Sequence, residues 1–301
     1  MTAVKTSLQQ RIESGQPLVL AEMVPPKSSD PQPVRDRAQA FAGRVHALGV
    51  SDNREGAAMS ALAAASLVAA EGVEPILHVV TRDRNRIALV STVLGARALG
   101  IGNVLCTTGT HQTLGPARAA RNVFDLDSLQ LLQVCGQLAT DGSVVGEAPF
   151  EGGGDYCLGA TAAPNADPLE LQVLRCAKKV AAGAQFLITQ PVFDLERFDA
   201  WWAEVTKRGL HEQVAIVAGV EALGDAESAR AKAASRPSPR VPDSIIERIA
   251  AKGDSQAQQA EVIAIACETI ERLRGVAGLR GIEVAGADAL TLLDQSGLGV
   301  G

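Results

Sequence analysis

The first apolar run of the chain, Leu18-Val-Leu-Ala-Glu-Met-Val24, carries one ionisable residue, Glu22, and is closed by Pro25-Pro26. A carboxyl group inside an apolar segment is costly unless it is paired or used. Desolvation raises its pKa, which makes Glu22 a general acid usable near neutral pH; an ion pair with an interior Arg or Lys carries equal weight. His78 sits in a second apolar run, Ile76 to Val80. It reads as a core histidine bonded to a backbone carbonyl or as a donor to a bound cofactor. Gln190 closes its run before Pro191. Its amide offers one donor and one acceptor edge to a heterocycle, with a plain turn residue as the alternative. Thr107-Thr108-Gly109-Thr110 supplies hydroxyls and backbone N–H groups in one loop, a weak signal alone.

Other candidates have simpler readings. Lys179 stands beside Arg175 and Lys178, as on a solvated helix face. Asp125 and Asp127 could bind a metal, but a helix-start cap pair is favoured. Arg82-Asp-Arg-Asn-Arg86 could steer a phosphate or an acidic tail, but a solvated helix start is favoured. No Ser/His/Asp spacing, P-loop or HExxH occurs.

These residues fall at the ends of apolar runs. Strands are expected at residues 18–24, 45–51, 74–80, 102–107, 156–160, 185–190, 214–218 and 279–284, as short continuous runs covered on both faces. Helical spacing separates them: 33–44, 55–71, Arg86 to Leu99 after Asn85, Ser128 to Ala139 after Asp127, and a helix opened by Asp167-Pro168. Further helices follow Asp194, Asp225 and Pro242, then 255–274 and 287–295. Eight strand–helix units predict an α/β fold, a single (β/α)8 TIM barrel over 1–301. Residues 1–17 form an N-terminal extension, and 235–253 an inserted loop and helix before the last unit. An open doubly wound sheet is less favoured, because Pro25-Pro26 stands where its first turn needs GxGxxG.

In such barrels the chemistry lies at the C-terminal strand ends. Those ends carry Glu22; Ser51, Asp52 and Asn53; His78, Thr81, Arg82 and Asp83; Thr107 to His111; Thr161 and Asn165; Thr189 and Gln190; Glu221; and Glu283.

Composition removes several classes. With 28 Lys+Arg against 34 Asp+Glu, the net charge of −6 gives no basic footprint for nucleic acid or an anionic membrane. Aromatics at 3% cannot build a base-stacking platform. The five cysteines are widely spaced and read as buried, reduced thiols, as in a cytoplasmic protein, with no metal site. The uncharged run from Ala98 is too polar to span a membrane.

Taken in order, several motifs resemble the methylenetetrahydrofolate reductase family. They are Ala21-Glu-Met-Val-Pro-Pro-Lys27, Met59 to Ala63, Glu74 to His78, Arg82 to Asn85, Gly100 to Leu105, Val123 to Asp127, Lys179 to Ala184 and Ile188 to Asp194. The likeness is greatest to the reductase half of bifunctional homocysteine methyltransferase/reductase proteins and related stand-alone bacterial forms. It implies a barrel that binds FAD and reduces 5,10-methylenetetrahydrofolate to 5-methyltetrahydrofolate with NAD(P)H, in the one-carbon metabolism that feeds methionine biosynthesis. Homo-oligomers are common in the family.

Carried over by position, Glu22 matches the catalytic glutamate, which would act as the acid that helps open the five-membered ring to an iminium. His78, Thr108, Gly109 and Lys179 match FAD contacts, and Ser51 replaces a threonine near nicotinamide and flavin. Gln190 matches the glutamine that binds the pterin. One position departs: Gly109-Thr110-His111 stands where the family has glycine then aspartate. Thr110 thus falls where both flavin and pterin are contacted, and cannot supply the negative charge. Two alternatives follow from that departure. One is a methyltetrahydrofolate-binding methyl-transfer protein; the other is a catalytically impaired subunit of a larger one-carbon complex.

Overall fold

Each apolar run pairs with the next in parallel, and the last closes on the first. The computed structural model describes residues 5–140, 142–144, 148–150, 154–235 and 239–300. Its strands are β1 (Leu18–Met23), β2 (Ala47–Val50), β3 (Pro75–Val80), β4 (Asn103–Thr107), β5 (Cys157–Ala162), β6 (Phe186–Pro191), β7 (Ala215–Glu221) and β8 (Gly281–Ala285). They form a closed eight-stranded barrel in chain order, the TIM-barrel fold. The helices are α1 (Ser7–Glu13), α2 (Gln32–Phe41), α3 (Ala61–Ala70), α4 (Arg86–Ala98), α5 (Ser128–Thr140), α6 (Leu169–Ala181), α7 (Leu195–Lys207), α8 (Leu210–Gln213), α9 (Ala226–Ala234), α10 (Asp243–Ala250), α11 (Ser255–Arg274) and α12 (Ala289–Ser296).

Inward side chains of the lower strands make a dry interior of Leu18, Leu20, Ile76, Leu105, Phe186 and Val217, among others. Two glycines fit this core to its closure. A Cβ at Gly159 would lie 2.2 Å from the Phe186 ring, and one at Gly281 would lie 2.0 Å from the Leu18 carbonyl oxygen. Helix α1, within the N-terminal extension, seals the floor. Its Leu8 is 1% exposed and belongs to the interior cluster. Thr6 caps it by accepting from the Gln9 N–H, and the Ser7 and Leu8 N–H groups donate to Glu74.

Asn85, Asp194 and Asp225 cap their helices as their types predict. Two helix starts differ in more than a shift of one or two residues. The helix expected over 55–71 begins at Ala61. Asn53 (φ 49°) and Gly56 (φ 92°) take the left-handed backbone instead, so the segment before Ala61 is loop. Asp167 does not cap α6: its carboxylate pairs with Arg197 and Arg240, and Pro168 takes the cap position. Cys106, Cys135, Cys157 and Cys176 are buried thiols. Residues 236–238 of the expected 235–253 insertion, and 1–4 of the extension, lie outside the described residues. Among the described residues no helix is long and apolar enough to cross a membrane.

Candidate active site

The interior turns polar toward the C-terminal strand ends. Glu22 is the next inward position after Leu18 and Leu20 on β1, since side chains alternate along a strand. A cavity of about 240 Å³ opens there, lined by Glu22, Ser51, Arg54, His78, Gln190 and Glu283, with Gly109 and Thr110 at its rim. A cavity of about 350 Å³ lies at the opposite end, beside Arg11, His46 and Arg280. It contains no carboxyl group among its lining residues, so acid–base chemistry belongs to the C-terminal end.

Glu22 is held on three sides. The Ser51 hydroxyl donates to Oε1, and the Arg54 guanidinium donates to Oε2 at 2.5 Å. His78 Nδ1 lies 3.7 Å from Oε1, beyond hydrogen-bond reach. Desolvation pushes the carboxyl up, as its setting in an apolar strand implies. The Arg54 charge, the His78 ring and the Ser51 hydrogen bond together outweigh it and hold the pKa below the ordinary value. The sequence-based expectation of a raised pKa is corrected accordingly: Glu22 is a carboxylate at neutral pH. The ion pair weighed as the alternative is the arrangement found.

Arg54 is the residue the sequence reading missed. It sits in the loop between Asn53 and Gly56, just before the stretch 55–71 that composition alone reads as helix. Its guanidinium also reaches Glu221 at 3.7 Å, and Glu221 is bonded to Lys232 at 2.7 Å.

Burial lowers the pKa of His78, so the ring is neutral near pH 7. It makes no bond to a backbone carbonyl. Its Nε2 is buried and without a partner. A Cβ at Gly49 would lie 2.8 Å from that nitrogen, so β2 needs glycine there for His78 to lie across it. Gln190 lies within a register shift between Ile188 and Pro191 on β6, an irregularity of the kind that re-aims a side chain at a barrel rim. Gly109 has φ 82°, and a Cβ there would meet Val80 at 2.8 Å. Thr110 is exposed, with its carbonyl bonded by Arg82.

Two candidates stand apart. Thr108 accepts from the Ser128 N–H, and Lys179 donates to the Thr161 carbonyl at 2.5 Å. Neither lines the cavity. Lys179 is therefore not on a solvated face; burial lowers its pKa. The basic cluster is internally neutralised: Arg82 pairs with Asp83, Arg84 with Asp52, and Arg86 with Asp125. Asp127 caps α5 through the Gln130 N–H. No metal-binding cluster exists among the described residues.

Glu283, on β8, lines the same cavity and is 6% exposed. Burial first, and then the Glu22 charge, push its pKa well above the ordinary value, which Arg54 offsets only in part. The sequence signal was available: with Arg280 it is one of two ionisable residues in the run 279–284, and the only one within β8, the logic that picked out Glu22.

The donor set fits the ring end of a flavin. His78 offers a buried nitrogen without a partner, Gly109 brings backbone close, and the Ser51 and Thr110 hydroxyls can donate and accept. Ligand pockets usually measure about 300–1,000 Å³, so this cavity holds a ring system and leaves the rest of a longer ligand in the open mouth. Thr108 and Lys179 are committed elsewhere and are not counted among the holding groups.

A closed parallel barrel with carboxylates, a neutral histidine and an amide at its C-terminal mouth defines a TIM-barrel protein with its polar groups at the end where that fold carries its sites. The sequence profile of methylenetetrahydrofolate reductase matches residues 7–284, and the chain belongs to that family. No curated protein matches it in sequence. Among solved structures, it is similar to an uncharacterized protein from Clostridium thermocellum that binds two copies of 5-methyl-5,6,7,8-tetrahydrofolic acid. That match has TM-score 0.65 and 12% identity, covering 95% of this chain and 97% of that one. An F420-dependent secondary alcohol dehydrogenase in complex with an F420-acetone adduct matches at TM-score 0.56 and 12% identity, over 93% and 98%. A 2,3-dimethylmalate lyase matches at TM-score 0.53 and 12% identity, over 96% and 80%. Identities this low show a shared fold alone.

Proposed function

We propose that the protein catalyses the flavin-dependent reduction of 5,10-methylenetetrahydrofolate to 5-methyltetrahydrofolate with NAD(P)H as electron donor, as a cytoplasmic enzyme. The observation that carries this reading is the Ser51–Glu22–Arg54 cluster beside His78 and Gln190 in one cavity of a family barrel. FAD, when bound, relays hydride to the substrate's methylene carbon. Ser51, His78, Gly109 and Thr110 hold the flavin ring, and Gln190 reads the amide edge of the pterin. Glu22 faces the reacting centre. Held ionised by Arg54 and Ser51, it stabilises the cationic iminium that forms when the five-membered ring opens. The buried floor beneath the cavity keeps water from that cation on one side.

The test is the absorption spectrum of the purified protein, with and without added FAD. Yellow protein is expected, bleached by NADH or NADPH and restored by methylenetetrahydrofolate. Colourless protein that cannot be reconstituted with FAD overturns the reading.

Thr110 supports a second reading, a folate-binding methyl-transfer protein or an impaired subunit, because the family's aspartate is missing there. Thr110→Asp is expected to tighten FAD binding by about one to two decades, the worth of one charge-assisted hydrogen bond, about 1.5–3 kcal/mol. Fluorescence titration of FAD measures it. Wild-type turnover that Thr110→Asp barely changes supports the reductase. Turnover that appears only in the variant supports the impaired subunit.

A further inference from the structure

Glu283 points inward from β8, in register with Leu20 of β1 and Gly219 of β7. Its β7 neighbour has no side chain, and a Cβ at Gly219 would lie 2.7 Å from the Thr189 carbonyl, so no larger residue fits beside Glu283. Glu283 Oε1 is buried and has no hydrogen-bond partner. An ionised carboxylate in that position would be desolvated without compensation.

The charged and titratable groups around it do not supply compensation. From β1 comes Glu22, an anion. Arg54, from the loop after β2, is bonded to Glu22 and reaches on to Glu221. His78, from β3, is neutral and faces Glu22. Glu221, at the end of β7, is ion-paired with Lys232 at 2.7 Å. Of the two guanidiniums that line the cavity, Arg54 is committed to Glu22 and Arg82 to Asp83, and the third carboxyl there, Asp52, is paired with Arg84, so Glu283 is left to hold a proton. Two carboxyls in one dry site divide one proton unequally, and the division assigns acid and base roles.

We propose that Glu283 is the proton donor of the ring-opening step, with Glu22 as its ionised partner. This deepens the folate-reductase reading and rests on it. The Glu283 O–H gives its proton to the bridging nitrogen on the side of the substrate's aminobenzoyl group. The bond from that nitrogen to the methylene carbon breaks, its electron pair staying on nitrogen. The lone pair of the pterin-side nitrogen forms the iminium double bond. Glu283 becomes a carboxylate beside Arg54, the iminium accepts hydride from the reduced flavin, and Glu283 recovers a proton from solvent.

The first test does not depend on turnover. Infrared difference spectra across a pH titration are expected to show a protonated carboxyl C=O band at neutral pH in the wild type, titrating at lower pH in Glu22→Gln, which removes the neighbouring charge and frees Arg54, and lost in Glu283→Gln. Linkage gives a second readout. The folded chain keeps a proton that the unfolded chain releases, so this group makes stability fall as pH rises above the ordinary carboxylate range. Glu283→Gln is expected to flatten that fall and to stabilise the protein more at pH 8 than at pH 5.

In turnover, Glu283→Gln is expected to lower kcat by about 10²–10⁴-fold, the usual worth of a positioned acid. It should also lose the alkaline limb of the wild-type kcat/KM profile. The proposal is overturned if the wild type shows no protonated carboxyl at neutral pH, if the band persists in Glu283→Gln, or if that variant matches wild-type turnover. A wild type that shows the band but does not turn over methylenetetrahydrofolate overturns the functional reading, and the donor role with it.

Discussion

Glu22→Gln is expected to lower turnover by about 10²–10⁴-fold, as removal of a charged group at the reacting centre does. Folate binding should change by less than about tenfold, or 1.4 kcal/mol. The substitution keeps the shape and one acceptor oxygen, so the Ser51 hydroxyl still has a partner. It removes the negative charge opposite Arg54 and the developing cation. The effect is chemical rather than structural: the Arg54 side chain is 41% exposed and keeps Glu221 within 3.7 Å. Glu22 itself is only 12% exposed, so the lost pairing also costs some stability, which a urea midpoint measures separately. Steady-state kinetics with a parallel binding titration separate the two effects. A fully active variant overturns the assignment of Glu22.

Gly281→Ala is expected to destabilise the fold by about 3 kcal/mol or more, at the severe end of overpacking changes. The added Cβ would lie 2.0 Å from the Leu18 carbonyl oxygen and 2.7 Å from its carbon. These are backbone atoms of β1, on the seam where β8 closes the barrel, and no rotamer change relieves them. The same seam carries the bond from the Leu18 N–H to the Arg280 carbonyl at 2.8 Å. The matched control is Gly253→Ala, where a Cβ meets nothing within 4 Å. Surface substitutions of that kind stay within about 0.5 kcal/mol of wild type. Urea midpoints measure both. A Gly281→Ala midpoint equal to that of Gly253→Ala overturns the closure argument.

The barrel was legible because its determinants are local. Each strand is a continuous apolar run, and Asn85, Asp194 and Asp225 announce helix starts by side-chain chemistry alone. The start of α3 was not legible. Residues 55–60 have a composition compatible with helix, and what turns them into loop is the left-handed backbone at Asn53 and Gly56. The site divides in the same way. Glu22, Ser51, His78, Gly109, Thr110 and Gln190 could be placed at one mouth because strand ends converge there. The protonation state of Glu22 could not be read, because it is set by Arg54, 32 residues away, in a loop whose course only the folded chain defines. Thr108 and Lys179 failed to join the cavity for a similar reason. Their partners, the Ser128 N–H and the Thr161 carbonyl, belong to other elements.

Helix α1 makes the barrel a cup rather than a tube. With Leu8 wedged beneath the aliphatic interior, the cavity opens, among the described residues, at the rim where the proposed pteridine would enter. A ligand seated there would cover the route by which a spent acid is recharged. Re-protonation must wait for product departure, so a deuterium solvent effect belongs to the release phase of the cycle as well as to bond cleavage.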